Sequence, residues 1–212
     1  MLFVHGWGGS IDSLAPLTRL FTNHTCVTLD LPGFGKSELP EKDWGVSEYA
    51  SLLQEFCKKL QLKSVIYFGH SFGGALGIYL SSHSDLIQKL ILCNSSFKRS
   101  KVNKKSIFKF LPFWLKRLIY RILYPNSDSF KYPLIETNFR KIISQDLTEE
   151  LPKINSSTLI LCGEKDTDTP VSLAYELHQK IKGSVLTIVP DVTHGLPLKF
   201  PNLVFNEIQK FL

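Results

Sequence analysis

A serine between glycines carries the clearest chemical signal in this chain, in the run 69–74 (GHSFGG). The run contains the G-x-S-x-G pattern, in which small residues two before and two after the serine allow a sharp reversal of the chain. An apolar, β-branched run at 64–68 precedes it, and a helical pattern from Phe72 to Ser82 follows it. This context predicts a nucleophile elbow that presents the Ser71 hydroxyl at the end of a strand, and a plain turn between strand and helix is the alternative.

A serine hydroxyl needs a general base within hydrogen-bond reach, and that base needs a carboxylate to hold it. Two histidines lie beyond the later predicted strands. His178 falls within a predicted helix, where a solvated side chain is the simpler interpretation. His194 lies in the loop 190–195 (PDVTHG), after a strand and on the same predicted sheet edge as Ser71. His194 is therefore the predicted base.

Three aspartates are candidates for the carboxylate. Asp166 and Asp168 both lie in the loop after the predicted strand at 158–162, and either one could serve. Asp168 could equally cap the helix that follows. Asp191 lies too close to His194 along the chain to approach it from a neighbouring strand, so a place in a turn is favoured. The residues alone leave Asp166 and Asp168 open.

An acyl-transfer intermediate also needs two hydrogen-bond donors for its oxyanion. The backbone N–H of Phe72 lies at a predicted helix start, where such groups face negative charge. The glycine-rich run 5–9 (HGWGG) directly follows a short strand, and the backbone N–H of Trp7 is the predicted second donor. This chemistry needs no cofactor and no metal, and we predict neither.

Short apolar runs alternate with helical patterns along most of the chain. Such alternation predicts a mostly parallel sheet with helices on both faces. The predicted strands lie at 2–4, 26–29, 64–68, 89–93, 158–162 and 185–189.

Together these motifs resemble the α/β-hydrolase superfamily, in its serine esterase-like branch. The resemblance is carried, in the family's order, by 5–8 (HGWG), 30–37 (DLPGFGKS), 69–74, 163–166 (GEKD) and His194. It implies that the acid is the aspartate three residues after the glycine, which chooses Asp166 over Asp168. It also implies six parallel strands in the family's order 4-3-5-6-7-8. The first two strands of the family are expected to be missing, as from a truncated reading frame, which leaves the strand at 26–29 as an edge.

The resemblance divides the chain into a hydrolase core, residues 1–96 and 152–212, and an inserted lid at 97–151. The chain's positive charge is concentrated there: residues 97–141 contain twelve Lys or Arg and two acidic residues, against a net charge of +6 for the whole chain. Residues 112–124 have the spacing of an amphipathic helix with one apolar and one basic face.

A lid helix packed over the site, with a solvated outer face, is the plain interpretation of residues 112–124. A basic, apolar helix could also contact an anionic membrane surface or an acidic carrier. Pimeloyl-carrier methyl esterases act on such a carrier, and the chain also resembles them at 5–8. The basic segment contains no recognisable nucleic-acid module, so nucleic-acid binding is not expected.

Bulk composition is that of an ordinary soluble domain. A length of 212 residues suits one substantial core, and 43% of the residues are hydrophobic. The sequence contains no apolar run of about 18 residues and no signal-peptide pattern at its start. The four cysteines are scattered and form no CxxC pair. Reduced, buried thiols are the better interpretation, and they predict a cytoplasmic protein.

The predicted function is a serine hydrolase that cleaves carboxylic ester or thioester bonds of a small-molecule or acyl substrate through an acyl-enzyme. Serine at the elbow, rather than aspartate, argues against the dehalogenase and epoxide-hydrolase branches. Carbon–carbon hydrolases of ring-cleavage products use the same triad, but they usually place a tryptophan after the catalytic histidine, where this chain has Gly195. A non-catalytic binding protein on the same scaffold is the third hypothesis.

Overall fold

The computed structural model describes residues 1–40, 43–99 and 131–212. Its strands are β1 (Leu2–Val4), β2 (Val27–Thr28), β3 (Val65–His70), β4 (Ile87–Cys93), β5 (Ser157–Gly163) and β6 (Val185–Val189). Its helices are α1 (Ile11–Thr18), α2 (Val46–Lys59), α3 (Phe72–His83), α4 (Glu136–Ser144), α5 (Val171–Lys180), α6 (Leu196–Lys199) and α7 (Pro201–Phe211). Short 3-10 turns at Pro133–Ile135 and Leu151–Lys153 flank α4 in sequence.

The strands form one six-stranded parallel sheet in the order β2-β1-β3-β4-β5-β6. This is the order predicted from the resemblance, with the strand at 26–29 reduced to two residues at the edge. Parallel strands end at the same edge, so the loops after β1, β3, β5 and β6 meet there. The topology therefore gathers the predicted site residues at one edge of the sheet.

Two apolar layers cover the two faces of the sheet. Because side chains alternate along a strand, Leu2 and Val4 of β1 enter one layer and Phe3 enters the other. Helices α2, α3 and α5 pack on the first layer, whereas α1, α6 and α7 pack on the second. The predicted arrangement, a parallel sheet with helices on both faces, is confirmed.

Some predictions fall on residues 41–42 and 100–130, outside the described residues. The predicted amphipathic helix at 112–124, its contact with a membrane surface or an acidic carrier, and most of the predicted lid at 97–151 are among them. They stay predictions. The described end of that segment, from residue 131 onward, packs on the core as set out below.

The four cysteines are all free thiols. Cys57, Cys93 and Cys162 are buried, and burial raises the pKa of the Cys162 thiol to about 12. The neutral, unreactive thiol is therefore the stable form at these positions.

Across the three described stretches, no helix combines the length and the apolar character that crossing a membrane requires.

The loop 30–37 is organised by one carboxylate. Asp30 accepts hydrogen bonds from the backbone N–H of Ile11 at 2.7 Å and of Lys36 at 2.9 Å, and the Ser37 hydroxyl donates to its carbonyl oxygen at 2.6 Å. Gly35 packs directly against this carboxylate with a φ of +55°, and a Cβ there would lie 2.2 Å from Oδ2 of Asp30. Asp30 thus ties the loop to the start of α1.

We expect Gly35→Ala to lower the free energy of unfolding by about 1–3 kcal/mol, because an L residue is strained at positive φ and its methyl group displaces Asp30. Gly183→Ala is the matched control. Gly183 also has a positive φ, of +72°, but nothing lies within 4 Å of an added Cβ. Urea unfolding of both variants checks the prediction, and equal losses would show that displacing Asp30 has no energetic cost.

Candidate active site

Ser71 lies between β3 and α3 in a strained backbone conformation. Its φ is +52° and its ψ is −112°, which a residue with a side chain adopts only when its surroundings impose it. The two glycines of the pattern have no room for a side chain: a Cβ at Gly69 would lie 2.4 Å from the Gly73 carbonyl oxygen, and one at Gly73 would lie 2.4 Å from that of Val4. Close packing of α3 against β1 and β3 therefore explains the G-x-S-x-G pattern.

Strand β4 and the residues after it fix the Ser71 backbone. Its N–H donates to the carbonyl of Cys93 at 3.0 Å, and its carbonyl accepts from the N–H of Gly74 at 3.0 Å and of Ser96 at 3.3 Å. These bonds hold the elbow rigidly at the carboxyl edge of the sheet.

The loop after β5 and the loop after β6 bring Asp166 and His194 together. Nδ1 of His194 lies 2.8 Å from Oδ2 of Asp166. The Asp166 side chain is fully buried, whereas the His194 side chain is 26% exposed. Since an ionised carboxylate only accepts hydrogen bonds, Nδ1 of His194 donates and Nε2 is left for another partner.

Asp166 receives further hydrogen bonds from its own loop and from Asn94, the residue that follows β4. The backbone N–H groups of Asp168 and Thr169 each donate to Oδ1 at 2.8 Å. The Thr169 hydroxyl donates to Oδ2 at 2.7 Å, and the Asn94 side-chain amide donates to the same oxygen. Burial alone would raise the pKa of Asp166, but the hydrogen bonds from His194 and Thr169 outweigh it and lower that pKa to about 2. The carboxylate is therefore ionised at neutral pH.

The aspartate alternatives have different surroundings. Asp168 is exposed, and it serves Asp166 through its backbone N–H rather than through its carboxylate. It does not cap α5, whose first turn has no side-chain cap. Asp191 has a φ of +60° and forms a 2.6 Å ion pair with Lys165, as expected of a residue in an exposed turn.

His178 is exposed on α5, as predicted for a solvated side chain. Its Nδ1 lies 3.0 Å from the Ser184 hydroxyl, just after α5. Of the two candidate bases, it is His194 that the structure joins to Asp166.

Both predicted oxyanion donors belong to backbone segments beside Ser71. Phe72 begins α3, and Trp7 lies in the loop after β1. That loop contacts the elbow directly, since a Cβ at Gly6 would lie 3.0 Å from Cβ of Ser71. The indole of Trp7 packs edge-on against the rings of Phe34 at 4.8 Å and Phe72 at 5.8 Å between centroids.

His5 fixes the loop that carries Trp7. The backbone N–H of Leu31 donates to its Nε2 at 3.0 Å, so Nδ1 carries the proton and donates to the Gly6 carbonyl at 2.7 Å. Burial lowers the pKa of His5, which keeps the ring neutral in this tautomer. His5 therefore joins the loop after β1 to the loop 30–37.

The described end of the predicted lid packs on the Trp7 loop. The Tyr132 hydroxyl donates to the Gly8 carbonyl at 3.1 Å, and the ring of Phe139 lies 5.0 Å from that of Trp7. Helix α4 is joined to the start of α2 by a 2.8 Å ion pair between Lys141 and Glu48. Apolar and aromatic side chains thus cover one side of the site.

The sequence interpretation did not predict three side-chain contacts with Asp166 or His194, those of Asn94, Thr169 and His70. Asn94 directly follows β4, so its place at the carboxyl edge was a signal that could have found it. His70, inside the elbow motif, contacts His194: its Nε2 lies 2.9 Å from the His194 carbonyl oxygen. The centroids of the His70 and His194 rings lie 5.0 Å apart.

Among the described residues, one cluster has donor atoms close enough for a metal ion. Ligand atoms of Asp166, Asp168 and His194 lie within 4.8 Å of one another. Coordination there would have to break the hydrogen bond between Asp166 and His194 and compete with the N–H donors on Asp166. These side chains are therefore better suited to orienting His194 by a hydrogen bond than to binding a metal ion.

A model of the alpha/beta hydrolase fold matches residues 1–128 of the chain. The chain belongs to the α/β-hydrolase fold family. The fold likeness extends further: this α/β hydrolase superposes on a lipase-esterase related protein from Clostridium acetobutylicum with a TM-score of 0.80 at 20% identity, covering 100% of this chain and 93% of that one.

Curated relatives of this α/β hydrolase are distant in sequence. The uncharacterized hydrolase YugF of Bacillus subtilis is 24% identical, covering 100% of this chain and 89% of YugF. A Mycoplasma pneumoniae protein named as an esterase/lipase is 24% identical, and the alignment covers 100% of this chain and 88% of that protein. The 2-hydroxy-6-oxo-6-(2'-aminophenyl)hexa-2,4-dienoic acid hydrolase of Metapseudomonas resinovorans is 23% identical, and the alignment covers 100% of this chain and 83% of that enzyme. These relatives support a hydrolase.

Proposed function

We propose that this α/β hydrolase cleaves carboxylic ester or thioester bonds through an acyl-enzyme on Ser71. His194 acts as the general base and Asp166 holds it. The observation that carries the proposal is the buried, ionised Asp166 carboxylate 2.8 Å from Nδ1 of His194, at the sheet edge where Ser71 is held in its strained elbow.

The reaction begins with transfer of the Ser71 hydroxyl proton to Nε2 of His194 as Oγ attacks the carbonyl carbon. The oxyanion that forms accepts hydrogen bonds from the backbone N–H groups of Trp7 and Phe72. The leaving alkoxide or thiolate then takes the proton from His194. A water molecule, deprotonated by His194, attacks the acyl-enzyme, and the acid product leaves as Ser71 regains its proton.

Electrostatics favour this path. When His194 becomes an imidazolium, its positive charge lies beside a carboxylate that is already ionised, and the pair is shielded from water on the Asp166 side. Burial strengthens that attraction relative to bulk water. Asp166 therefore stabilises the charge that develops on the base.

The surroundings of Trp7 favour a substrate with an apolar acyl part. Rings of Phe34, Phe72 and Phe139 lie within 5.8 Å of the Trp7 indole, directly beside the loop that meets Ser71. Such a surface excludes water from the reacting centre and gains free energy by covering an acyl chain.

A fluorophosphonate probe tests the proposed nucleophile and base. We expect it to label Ser71 in the wild-type chain, and we expect His194→Ala to slow labelling by about a hundredfold or more because the base is lost. His178→Ala is the matched control and should label at the wild-type rate. Labelling on another serine, or equal losses in the two histidine variants, would contradict the proposal. A panel of p-nitrophenyl esters of increasing chain length then gives the acyl preference.

Carbon–carbon hydrolysis of ring-cleavage products is the second candidate, because a relative aligned over the whole chain bears the name of such an enzyme. Gly195 stands where those hydrolases usually have a tryptophan. A hydroxy-oxo-dienoate substrate discriminates between the two: turnover of it, with p-nitrophenyl esters left intact, would favour carbon–carbon cleavage.

A further inference from the structure

His70, the last residue of β3, connects the elbow to the loop of the proposed base. Its Nε2 lies 2.9 Å from the backbone carbonyl oxygen of His194, a residue 124 positions away in sequence. Because a carbonyl oxygen only accepts, Nε2 of His70 carries the proton and donates. The bond acts on the main chain of His194, while Nδ1 of that residue is held separately by Asp166.

The other side of the His70 ring meets the loop that carries Trp7. A Cβ at Gly6 would lie 3.1 Å from Nδ1 of His70 and 3.3 Å from the His70 carbonyl oxygen. The imidazole therefore lies between the Gly6 backbone and the His194 backbone. The His70 side chain therefore sets the separation of two loops, the one with Trp7 and the one with His194, both of which the proposed mechanism needs beside Ser71.

His70 is suited to this place because it stays neutral. Burial, followed by the charge of His194, lowers the pKa of His70 to about 4, against smaller opposing effects from its hydrogen bond to His194 and from Asp166. The charge of His5 would also lower the pKa of His70, but His5 is itself buried and has a lowered pKa. A neutral donor holds His194 without repelling the imidazolium that forms there during the reaction.

We propose that His70 is a positioning residue, whose Nε2–H holds the His194 main chain so that the imidazole of His194 reaches both Asp166 and Ser71. This inference rests on the proposed function. It assigns no proton transfer to His70, which acts only through His194.

A pair of nearly isosteric variants tests the hydrogen bond itself. His70→Gln keeps an N–H donor close to the position of Nε2, whereas His70→Met has a similar shape and no donor. With a p-nitrophenyl ester, we expect His70→Met to lower kcat by about ten- to a hundredfold with KM within about twofold, as for a small misplacement of a catalytic group. We expect His70→Gln to stay within about fivefold of wild type.

The pH profile separates positioning from acid–base chemistry. If His70 only positions His194, the acid limb of kcat/KM keeps its midpoint in His70→Gln, which retains the donor. A shift or loss of that limb in an otherwise active His70→Gln would overturn the proposal, as would wild-type kcat in His70→Met or equal impairment of the two variants. Should His70→Met not fold, His70→Ala, which cannot overpack, replaces it.

Failure of the proposed function has a different signature. In that case the wild-type chain itself neither hydrolyses the ester nor reacts with the fluorophosphonate probe. If the wild type is active and His70→Met matches it, the proposed function stands and only the role of His70 falls.

Discussion

Ser71→Ala is expected to lower kcat/KM for p-nitrophenyl esters by about 10⁴-fold or more while the chain stays folded. The substitution removes the attacking oxygen and keeps the backbone N–H and carbonyl of residue 71, whose hydrogen bonds hold the elbow. Turnover by purified variants, with circular dichroism to confirm folding, checks the result.

The matched control is Ser96→Ala. Ser96 carries a neighbouring hydroxyl, 3.5 Å from the Ser71 carbonyl oxygen, and its loss should leave kcat within about threefold of wild type. Turnover that survives Ser71→Ala would remove Ser71 as the nucleophile. Turnover lost in both variants would point to the backbone of the elbow rather than to the Ser71 hydroxyl.

Asp166→Asn is expected to reduce kcat by about 10⁴-fold. The two backbone N–H donors at Oδ1 hold the amide oxygen of the asparagine there, so its NH2 group faces Nδ1 of His194. An NH2 group donates, which moves the imidazole proton to Nε2, and His194 then cannot accept the proton of Ser71. Asp168→Asn is the control, because Asp168 contributes its backbone N–H, which the substitution keeps. Asp168→Asn should stay within about threefold of wild type. A larger loss in Asp168→Asn than in Asp166→Asn would reverse the assignment of the acid.

The same carboxylate should make folding stability depend on pH. Its pKa in the folded chain is about 2, below an ordinary value of 3.8, so it favours the folded state above pH 4. This contribution, about 2 kcal/mol, is lost progressively as the pH falls from 4 towards 2. Urea unfolding at pH 6 and pH 3 measures about half of it, because pH 3 lies between the two pKa values, and Asp166→Asn should show a smaller loss over that interval than wild type. An equal loss would mean that other carboxyl groups account for the acid sensitivity.

Local patterns sufficed to predict the sheet and to place Ser71 and His194 at one edge of it. The alternation of apolar runs and helices fixes which segments become strands, and parallel strands place their following loops at one edge. The choice between Asp166 and Asp168 did not follow from residue types, since both lie in one short loop. It depends on which side chain turns inward, and that is decided by N–H donors that only the folded loop brings together.

Contacts between segments that are distant in sequence could not be predicted from local patterns. Asn94 reaches Asp166 across 72 residues, and His70 reaches His194 across 124. Each forms because neighbouring strands of the sheet come from separate parts of the chain. The short helix α6, between His194 and α7, was not predicted because its four residues are too few for a periodic pattern.

The positive φ of Ser71 has a consequence for how this chain evolves. Strain of this kind costs of order 1–3 kcal/mol, and glycine is the residue that would relieve most of it. A lineage selected for stability alone would gain by replacing Ser71 with glycine, at the loss of its hydroxyl. Under the proposed function, a serine in this conformation exchanges folding stability for reactivity.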